Sequence, residues 1–250
     1  KKLWDGVREL DPHILESITK GDFSHSLDES IFEPVGNDEV ILCLNYDGLY
    51  GINNINTFLQ NANPEQPFER GTKIYKVGDP ILFKDTNRFS PRLHNNTKGK
   101  IHSIKMRTDS VAFDIELYQP LTEFDALRMD LELLGQLPND HSIVRILVFK
   151  RDDSLDDLAL ESDAKTVVPF QVSYAISIHK AQGLEYDSVK VVISDEIDEM
   201  VTHNIFYTAI TRAKKNLKIY WTPQTEQKVL TSFSHRDIKR DMYLLSQLDK

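Results

Sequence analysis

Two textures of apolar and polar positions alternate along this chain. At Glu39 to Leu44 an apolar run leads into a glycine-bearing loop. Apolar residues at helical spacing follow, from about Ile52 to Gln60, which predicts a strand and then a helix. A second apolar run, Val172 to Ala175, enters a polar turn and one or two helical turns. Gly183 is expected to close them, as a residue free to take positive φ does at a helix end. Ser188 to Ile193 is nearly continuous in β-branched residues, the pattern of a strand buried on both faces of a parallel sheet. From about Asn204 to Lys214, residues Ile205, Phe206, Ala209, Ile210 and Ala213 recur at helical spacing and form a core face. The strand Leu217 to Trp221 then returns to the sheet, and helices at about Gln224–Phe233 and Arg236–Leu248 pack on it. A helix at about Trp4–Thr19 and the polar stretch after it read as a connector over residues 1–35.

Between these α/β stretches the pattern changes. Asn61-Ala-Asn-Pro-Glu-Gln-Pro67 breaks all periodicity. Short β-rich runs follow at Lys73–Val77, Pro80–Phe83, Lys100–Met106, Val111–Leu117 and Val144–Phe149, separated by turn residues. A helix is expected at about Leu121 to Leu134, and Asp152 to Ala164 reads as an acidic loop or helix. Several short strands at close spacing predict a small barrel inserted into an α/β domain, with the α/β texture resuming at Val167.

The chain has 250 residues, enough to bury a substantial core, and its single cysteine, Cys43, sits in an apolar strand and has no disulfide partner within the chain. It has no secretory leader and no apolar run near the ~20 residues needed to span a bilayer, so the expectation is a cytoplasmic protein with no membrane partner. A net charge of −9 argues against a nucleic-acid partner, but the charge is segregated. Ten basic residues (Arg70, Lys73, Lys76, Lys84, Arg88, Arg92, Lys98, Lys100, Lys105, Arg107) stand against two acids, Asp79 and Asp85, while Asp109 to Glu161 is acidic. Such segregation creates a local positive field for phosphates, and Lys84, Arg88, Arg92, Lys98 and Lys100 are the candidate contacts. Phe83, Phe89 and His94 interleave with these cations, as stacking side chains do for an unpaired strand, although Phe83 fits a core aromatic better.

Chemistry concentrates in two segments. Ser177, His179, Gln182 and Glu185 are expected at the carboxyl end of a strand, where open α/β sheets put their ligands. Thr208 and Arg212 lie four apart on one helix face, and a guanidinium there is permanently charged with a rigid donor fork suited to a terminal phosphate. Taken singly, His179 and Gln182 would only satisfy a turn, and Arg212 would be a last-turn cation complementing the helix dipole. The order Ser-x-His-x-x-Gln-Gly-x-Glu followed by Tyr-Thr-Ala-Ile-Thr-Arg-Ala-Lys favours the functional reading.

Residues 173–185 and 207–215 resemble motifs V and VI of the superfamily 1 UvrD/RecD-like helicases, and the Tyr-Thr-Ala-Ile-Thr-Arg start of the second is more like the RecD branch. The stretch Val40 to Gln60 resembles the motif IV region. The resemblance implies a RecA-like parallel sheet of the P-loop-NTPase type over 36–68 and 167–250, with an SH3-like β-barrel inserted at 69–166. It implies that Arg212 is an arginine finger for ATP bound on a neighbouring lobe. Gln182, Gly183 and Glu185 would line the nucleotide cleft, and Ser177, His179, Asn45 and Tyr46 would face single-stranded DNA.

No Gly-x-x-x-x-Gly-Lys-Ser/Thr phosphate loop occurs, and Thr97-Lys-Gly-Lys-Ile101 lacks its first glycine and its hydroxyl. Val191-Val-Ile-Ser-Asp195-Glu196 imitates a magnesium-holding strand end, but without a phosphate loop its acids read as solvated, and no metal ligands are assigned. The expectation is therefore a carboxy-terminal fragment of a DNA helicase. ATP and Mg2+ would bind mainly on an N-terminal RecA-like lobe upstream of Lys1, and the fragment alone would be inactive. Two other classes compete: a nucleic-acid-binding module on a degenerate motor scaffold, and a protein-docking domain using the barrel or the acidic segment.

Overall fold

The computed structural model describes residues 23–24, 29–34, 36, 38–84, 89, 93–150, 165–194, 201 and 203–234. The expected helices at Trp4–Thr19 and Arg236–Leu248, the segment Asp152–Ala164 and the pair Asp195 and Glu196 lie outside the described residues. The chain divides into two compact units, one drawn from Lys1–Asn54 and Ala175–Lys250, the other from Ile55–Tyr174.

The first unit is built on a five-stranded sheet: β1 (Phe23–Ser24), β2 (Glu39–Cys43), β11 (Ala175–Ser177), β12 (Tyr186–Val192) and β13 (Ala213–Tyr220). Its order is β1-β13-β12-β2-β11, and every pairing is parallel. Ser177 stands opposite Cys43, and Val189 stands between Val40 and Leu217. The central strand β12 is buried at six of its seven positions, which is why it reads as a near-continuous apolar run. Its buried charge is Lys190, 1% exposed, whose Nζ donates to the carbonyl of Ile31 at 3.0 Å, to that of Glu33, and to Glu39 Oε1 at 3.0 Å. A short 3-10 turn, Glu29–Phe32, thus rests on a buried ammonium rather than on apolar packing alone. Cys43 is buried and free, and burial pushes its thiol up to about 12, so it is an inert core residue.

Helix α1 (Ile52–Ala62) follows β2 and buries Ile52 and Ile55. In the second unit, β3 (Phe68–Arg70) and β4 (Lys73–Tyr75) form a two-stranded hairpin. The strands β5 (Pro80–Phe83), β6 (Lys98–Met106), β7 (Ser110–Leu117), β8 (Glu132–Gln136), β9 (Ser142–Phe149) and β10 (Phe170–Val172) form a six-stranded antiparallel sheet ordered β10-β5-β6-β7-β9-β8. Among the described residues this sheet has β10 and β8 as edges. Its core is aromatic: Phe113 meets Tyr75 edge-on at 5.7 Å and Phe170 at 5.3 Å, and Phe83 meets Phe89 at 5.9 Å. On β9, Val144, Ile146 and Val148 point inward while alternate residues do not, as one-sided burial requires.

Three local expectations are corrected. The helix expected over Leu121–Leu134 is only α2 (Glu123–Arg128), opened by a reciprocal capping box between Thr122 and Asp125. Asp130 takes φ 55, which halts the helix, and the chain continues as strand β8. The strand expected at Val172–Ala175 is two strands of different sheets: β10 ends at Val172, and β11 begins at Ala175. The helical turns expected before Gly183 are a succession of turns, with Ala181 N donating to Ser177 O and Leu184 N to Ala181 O, although Gly183 does take φ +83.

Candidate functional site

The parallel sheet carries polar groups at both of its ends. At the carboxyl end, the loop after β2 and the turn after β11 are neighbours because their strands pair, and Ile178 N donates to Cys43 O at 3.2 Å. The β2 loop is tightly wound. Ile52 N and Asn53 N donate to the carbonyls of Asn45 and Tyr46 at 3.0 Å each, and Asn53 Nδ2 donates to Asp47 Oδ1 at 3.1 Å, so the loop caps α1. Tyr46 is 46% exposed, and Lys180 Nζ lies 5.8 Å from its ring centroid. Ser177 is buried, its Oγ accepting from Lys180 N at 3.2 Å, while His179 is exposed beside it. Asn45, Tyr46, Ser177 and His179 are therefore brought to one end of the sheet. Lys180 joins them, a residue sequence reasoning passed over although it follows His179 directly.

Gln182, Gly183 and Glu185 do not all stay there. The chain from β11 crosses to the start of β12, which places Glu185 at the amino end of the sheet, beside the entry to β13. The expectation that all four polar residues of this segment share the carboxyl end is corrected on that point. The next helix, α3 (His203–Ile210), stops four residues short of Lys214. Arg212 consequently sits in the turn between α3 and β13, with its carbonyl accepting from Tyr186 N at 2.8 Å. Its guanidinium is fully organised: Nε donates to Thr208 O at 2.9 Å, Nη1 to Leu184 O at 3.0 Å, and Nη2 to Thr211 Oγ1 at 3.0 Å. All three acceptors are neutral, so among the described residues its charge has no carboxylate partner. Glu185, which follows Leu184 directly, instead pairs with Lys214 at 3.4 Å, both being substantially exposed.

The basic residues of the second unit do not form one free field. Lys76 is buried and donates to Asn63 O at 2.7 Å, Arg70 donates to the carbonyls of Phe149 and Thr166, and Lys105 pairs with Asp114 at 3.2 Å. Phe89 is fully buried against Phe83, so neither ring is a stacking platform, whereas His94 is exposed. Lys84 is exposed, Lys98 lies 5.6 Å from the ring centroid of Tyr118, and Lys100 is half-buried on the same strand. Arg88 and Arg92 lie outside the described residues. Among the described residues no group of three or more His, Cys, Asp or Glu could hold a metal ion. No helix among them is long and apolar enough to cross a membrane.

The first unit thus combines a parallel α/β sheet with an arginine beside the 182–185 crossing that has no carboxylate partner among the described residues. Residues 172–220 match the UvrD-like helicase C-terminal domain. The RecD subunit of the RecBCD enzyme of Buchnera aphidicola subsp. Schizaphis graminum is 22% identical over 189 residues, covering 74% of this chain and 25% of that protein. The RecD subunit of Mycolicibacterium smegmatis is 39% identical over 49 residues, covering 20% of this chain and 9% of its own. A crystal structure of Pif1 helicase from Candida albicans shares the fold with a TM-score of 0.50 at 16% identity, covering 95% of this chain and 58% of that one. The helicase likeness is thus carried by residues 172–220, the similarity to a RecD subunit runs over a longer stretch, and the fold is shared with the Pif1 structure. The chain spans about a quarter of the length of the Buchnera relative.

Proposed function

We propose that this chain supplies the second motor lobe of an ATP-dependent DNA helicase, and that its ATP site is completed by an N-terminal RecA-like lobe holding the nucleotide and Mg2+. Arg212 carries this reading. Its guanidinium is immobilised by Thr208, Leu184 and Thr211 yet faces no carboxylate among the described residues, so its charge remains available to a phosphate. Gln182 and Glu185 flank it along the same crossing and sense the nucleotide. Asn45, Tyr46, Ser177 and His179 contact single-stranded DNA at the other end of the sheet, where an exposed ring beside Lys180 suits a base and its phosphate. Closing and opening of the two lobes would step the strand along this surface.

Residues 69–166 act in this scheme as an inserted SH3-like barrel with Lys84, Arg88, Arg92, Lys98 and Lys100 towards nucleic acid. The antiparallel sheet carries register shifts at Ile101/Ser103 and Leu133/Gly135, irregularities of the kind that let a sheet curl. The lobe alone is inactive, because an arginine finger worth about 10³ or more in rate cannot replace the phosphate cradle.

The test is DNA-stimulated ATP hydrolysis by the full-length protein with Arg212→Ala beside wild type, ATP and DNA affinities being measured separately. A fall of about 10³ in kcat with both affinities kept supports the finger. An unchanged rate removes Arg212 from the chemistry and with it the motor reading.

A further inference from the structure

The bonds that aim the Arg212 guanidinium differ in kind. Two of its acceptors, Thr208 O and Leu184 O, are main-chain atoms, fixed wherever the backbone is fixed. The third, Thr211 Oγ1, is a side-chain hydroxyl whose own direction must be set. A hydroxyl has one proton to donate and two lone pairs with which to accept. Tyr207 O lies 2.8 Å from Thr211 Oγ1, and Thr208 O lies 3.2 Å away and already accepts from Arg212 Nε. The proton therefore goes to Tyr207 O, which leaves a lone pair turned to Nη2. The resulting chain runs in one direction: Arg212 Nη2–H to Thr211 Oγ1–H to the last-turn carbonyl of α3. Because Thr211 N also donates to Tyr207 O, at 3.1 Å, the hydroxyl is anchored to the helix end by both backbone and side chain.

We propose that Thr211 is a positioning residue for Arg212: its hydroxyl fixes the rotation of the guanidinium plane so that the two Nη–H bonds not spent on Leu184 and Thr211 face the transferring phosphate. The proposal rests on the reading of Arg212 as a finger. A guanidinium held only by Nε and Nη1 keeps its place but loses the restraint on its outer edge, and small misplacements of a catalytic group cost rate steeply. Thr211 itself touches no substrate, so its loss leaves binding alone.

The experiment compares Thr211→Val, which keeps shape and removes the hydroxyl, with Thr211→Ser, which keeps the hydroxyl. Both are made in the full-length protein, in wild-type and Arg212→Ala backgrounds. The expected result is a fall of about 10- to 100-fold in DNA-stimulated kcat for Thr211→Val. Its KM for ATP and its affinity for single-stranded DNA stay within about twofold, Thr211→Ser recovers most of the rate, and Thr211→Val has no further effect once Arg212 is alanine. If Thr211→Val lowers the melting temperature too far to assay, Thr211→Ala makes the same comparison. An unchanged kcat in Thr211→Val, or an equal fall in the Arg212→Ala background, overturns the positioning role while leaving the finger intact. A wild-type rate in Arg212→Ala itself overturns the underlying reading, and is recognisable because it needs no Thr211 variant.

Discussion

The Nη1 of Arg212 donates to the carbonyl of Leu184 at 3.0 Å, while the Arg212 carbonyl accepts from Tyr186 N at 2.8 Å, so one residue grips the entry to β12 from both sides. The side chain proposed for chemistry is therefore also structural. Removing it leaves Leu184 O and Thr211 Oγ1 without this donor, and hydrogen bonds to a charged group contribute about 1.5–3 kcal/mol each at most, with neighbours not additive. Arg212→Ala is expected to destabilise the lobe by about 1–3 kcal/mol in urea unfolding. Arg212→Lys, which keeps charge but offers no fork, should recover less than half of that loss. A stability change below about 0.5 kcal/mol for Arg212→Ala would mean that water replaces the grip completely.

Asp79 is fully buried and has no cation bonded to it in the described structure. Its Oδ2 accepts from Gln60 Nε2 at 2.5 Å and Lys76 N at 2.8 Å, and its Oδ1 accepts from Asn63 Nδ2 at 2.9 Å and Tyr174 OH at 2.8 Å. Burial, followed by the adjacent Asp79 charge, raises the pKa of the Tyr174 phenol, keeping it a donor. This carboxylate joins the end of α1, the turn before β5 and the residue before β11. Asp79→Ala strands four donors at once and should cost about 3–5 kcal/mol or prevent folding. Tyr174→Phe removes one donor and should cost about 1–2 kcal/mol. Equal effects of the two substitutions in thermal unfolding would rule out the hub.

Much of this was legible in advance, for reasons visible residue by residue. Strand β5 was found at its observed bounds, Pro80–Phe83, because a proline start and three buried apolar residues leave little ambiguity. The β12 run was equally clear, yet Lys190 within it was not singled out, since its partners Ile31 O and Glu39 are about 150 residues away in sequence. The helix expected over Leu121–Leu134 stops at Arg128, and the left-handed Asp130 then turns the chain into β8, a backbone conformation that no side-chain pattern announces. At the site, the i, i+4 relation of Thr208 and Arg212 was readable, but the acceptor on Leu184 is a main-chain carbonyl, which no side-chain pattern can reveal.

Asp114 should govern acid stability of the antiparallel unit. Burial opposes its ionisation, but hydrogen bonds from Arg145, Ser103 and Lys105 outweigh that and hold its carboxyl at about 2, below the ordinary 3.8. A depressed folded value stabilises above the unfolded pKa, and the benefit is lost as pH falls from about 4 towards 2. The shift corresponds to about 2 kcal/mol at neutral pH. Asp114→Asn should remove this part of the acid dependence while leaving the slope above pH ~5 unchanged. An Asp114→Asn protein that acid-unfolds with the wild-type midpoint would contradict the assignment.

Lys190 and Glu39 form an ion pair with side chains 2% and 13% exposed. Breaking a buried pair from one side costs about 3–5 kcal/mol, because the remaining charge is stranded, whereas replacing both members can be neutral. Lys190→Met is therefore expected to be severe, and Glu39→Gln milder, because Ser188 Oγ still donates to that side chain at 2.8 Å in the native arrangement. The double variant Lys190→Met, Glu39→Leu should be more stable than Lys190→Met alone. Additive losses in the double-mutant cycle would show that the ammonium acts mainly through the carbonyls of Ile31 and Glu33.

Two glycines of the candidate site should respond to alanine in opposite degrees, and the difference separates close packing from backbone strain. At Gly51 a Cβ would lie 2.3 Å from the Asp47 carbonyl oxygen and 2.7 Å from that of Tyr46, both main-chain atoms of the loop that caps α1. These atoms cannot yield without unwinding the loop that presents Asn45 and Tyr46. At Gly183 a Cβ meets nothing within 4 Å, and the only obstacle is φ +83. A left-handed alanine costs about 1–2 kcal/mol, so Gly183→Ala should fold, melt slightly lower and retain DNA binding. Gly51→Ala should cost about 3 kcal/mol or more, and the folded fraction should bind single-stranded DNA weakly because the Tyr46 ring is displaced from Lys180. If Gly183→Ala proves the more damaging for DNA binding, the carboxyl-end surface around Tyr46 is the wrong place for the strand.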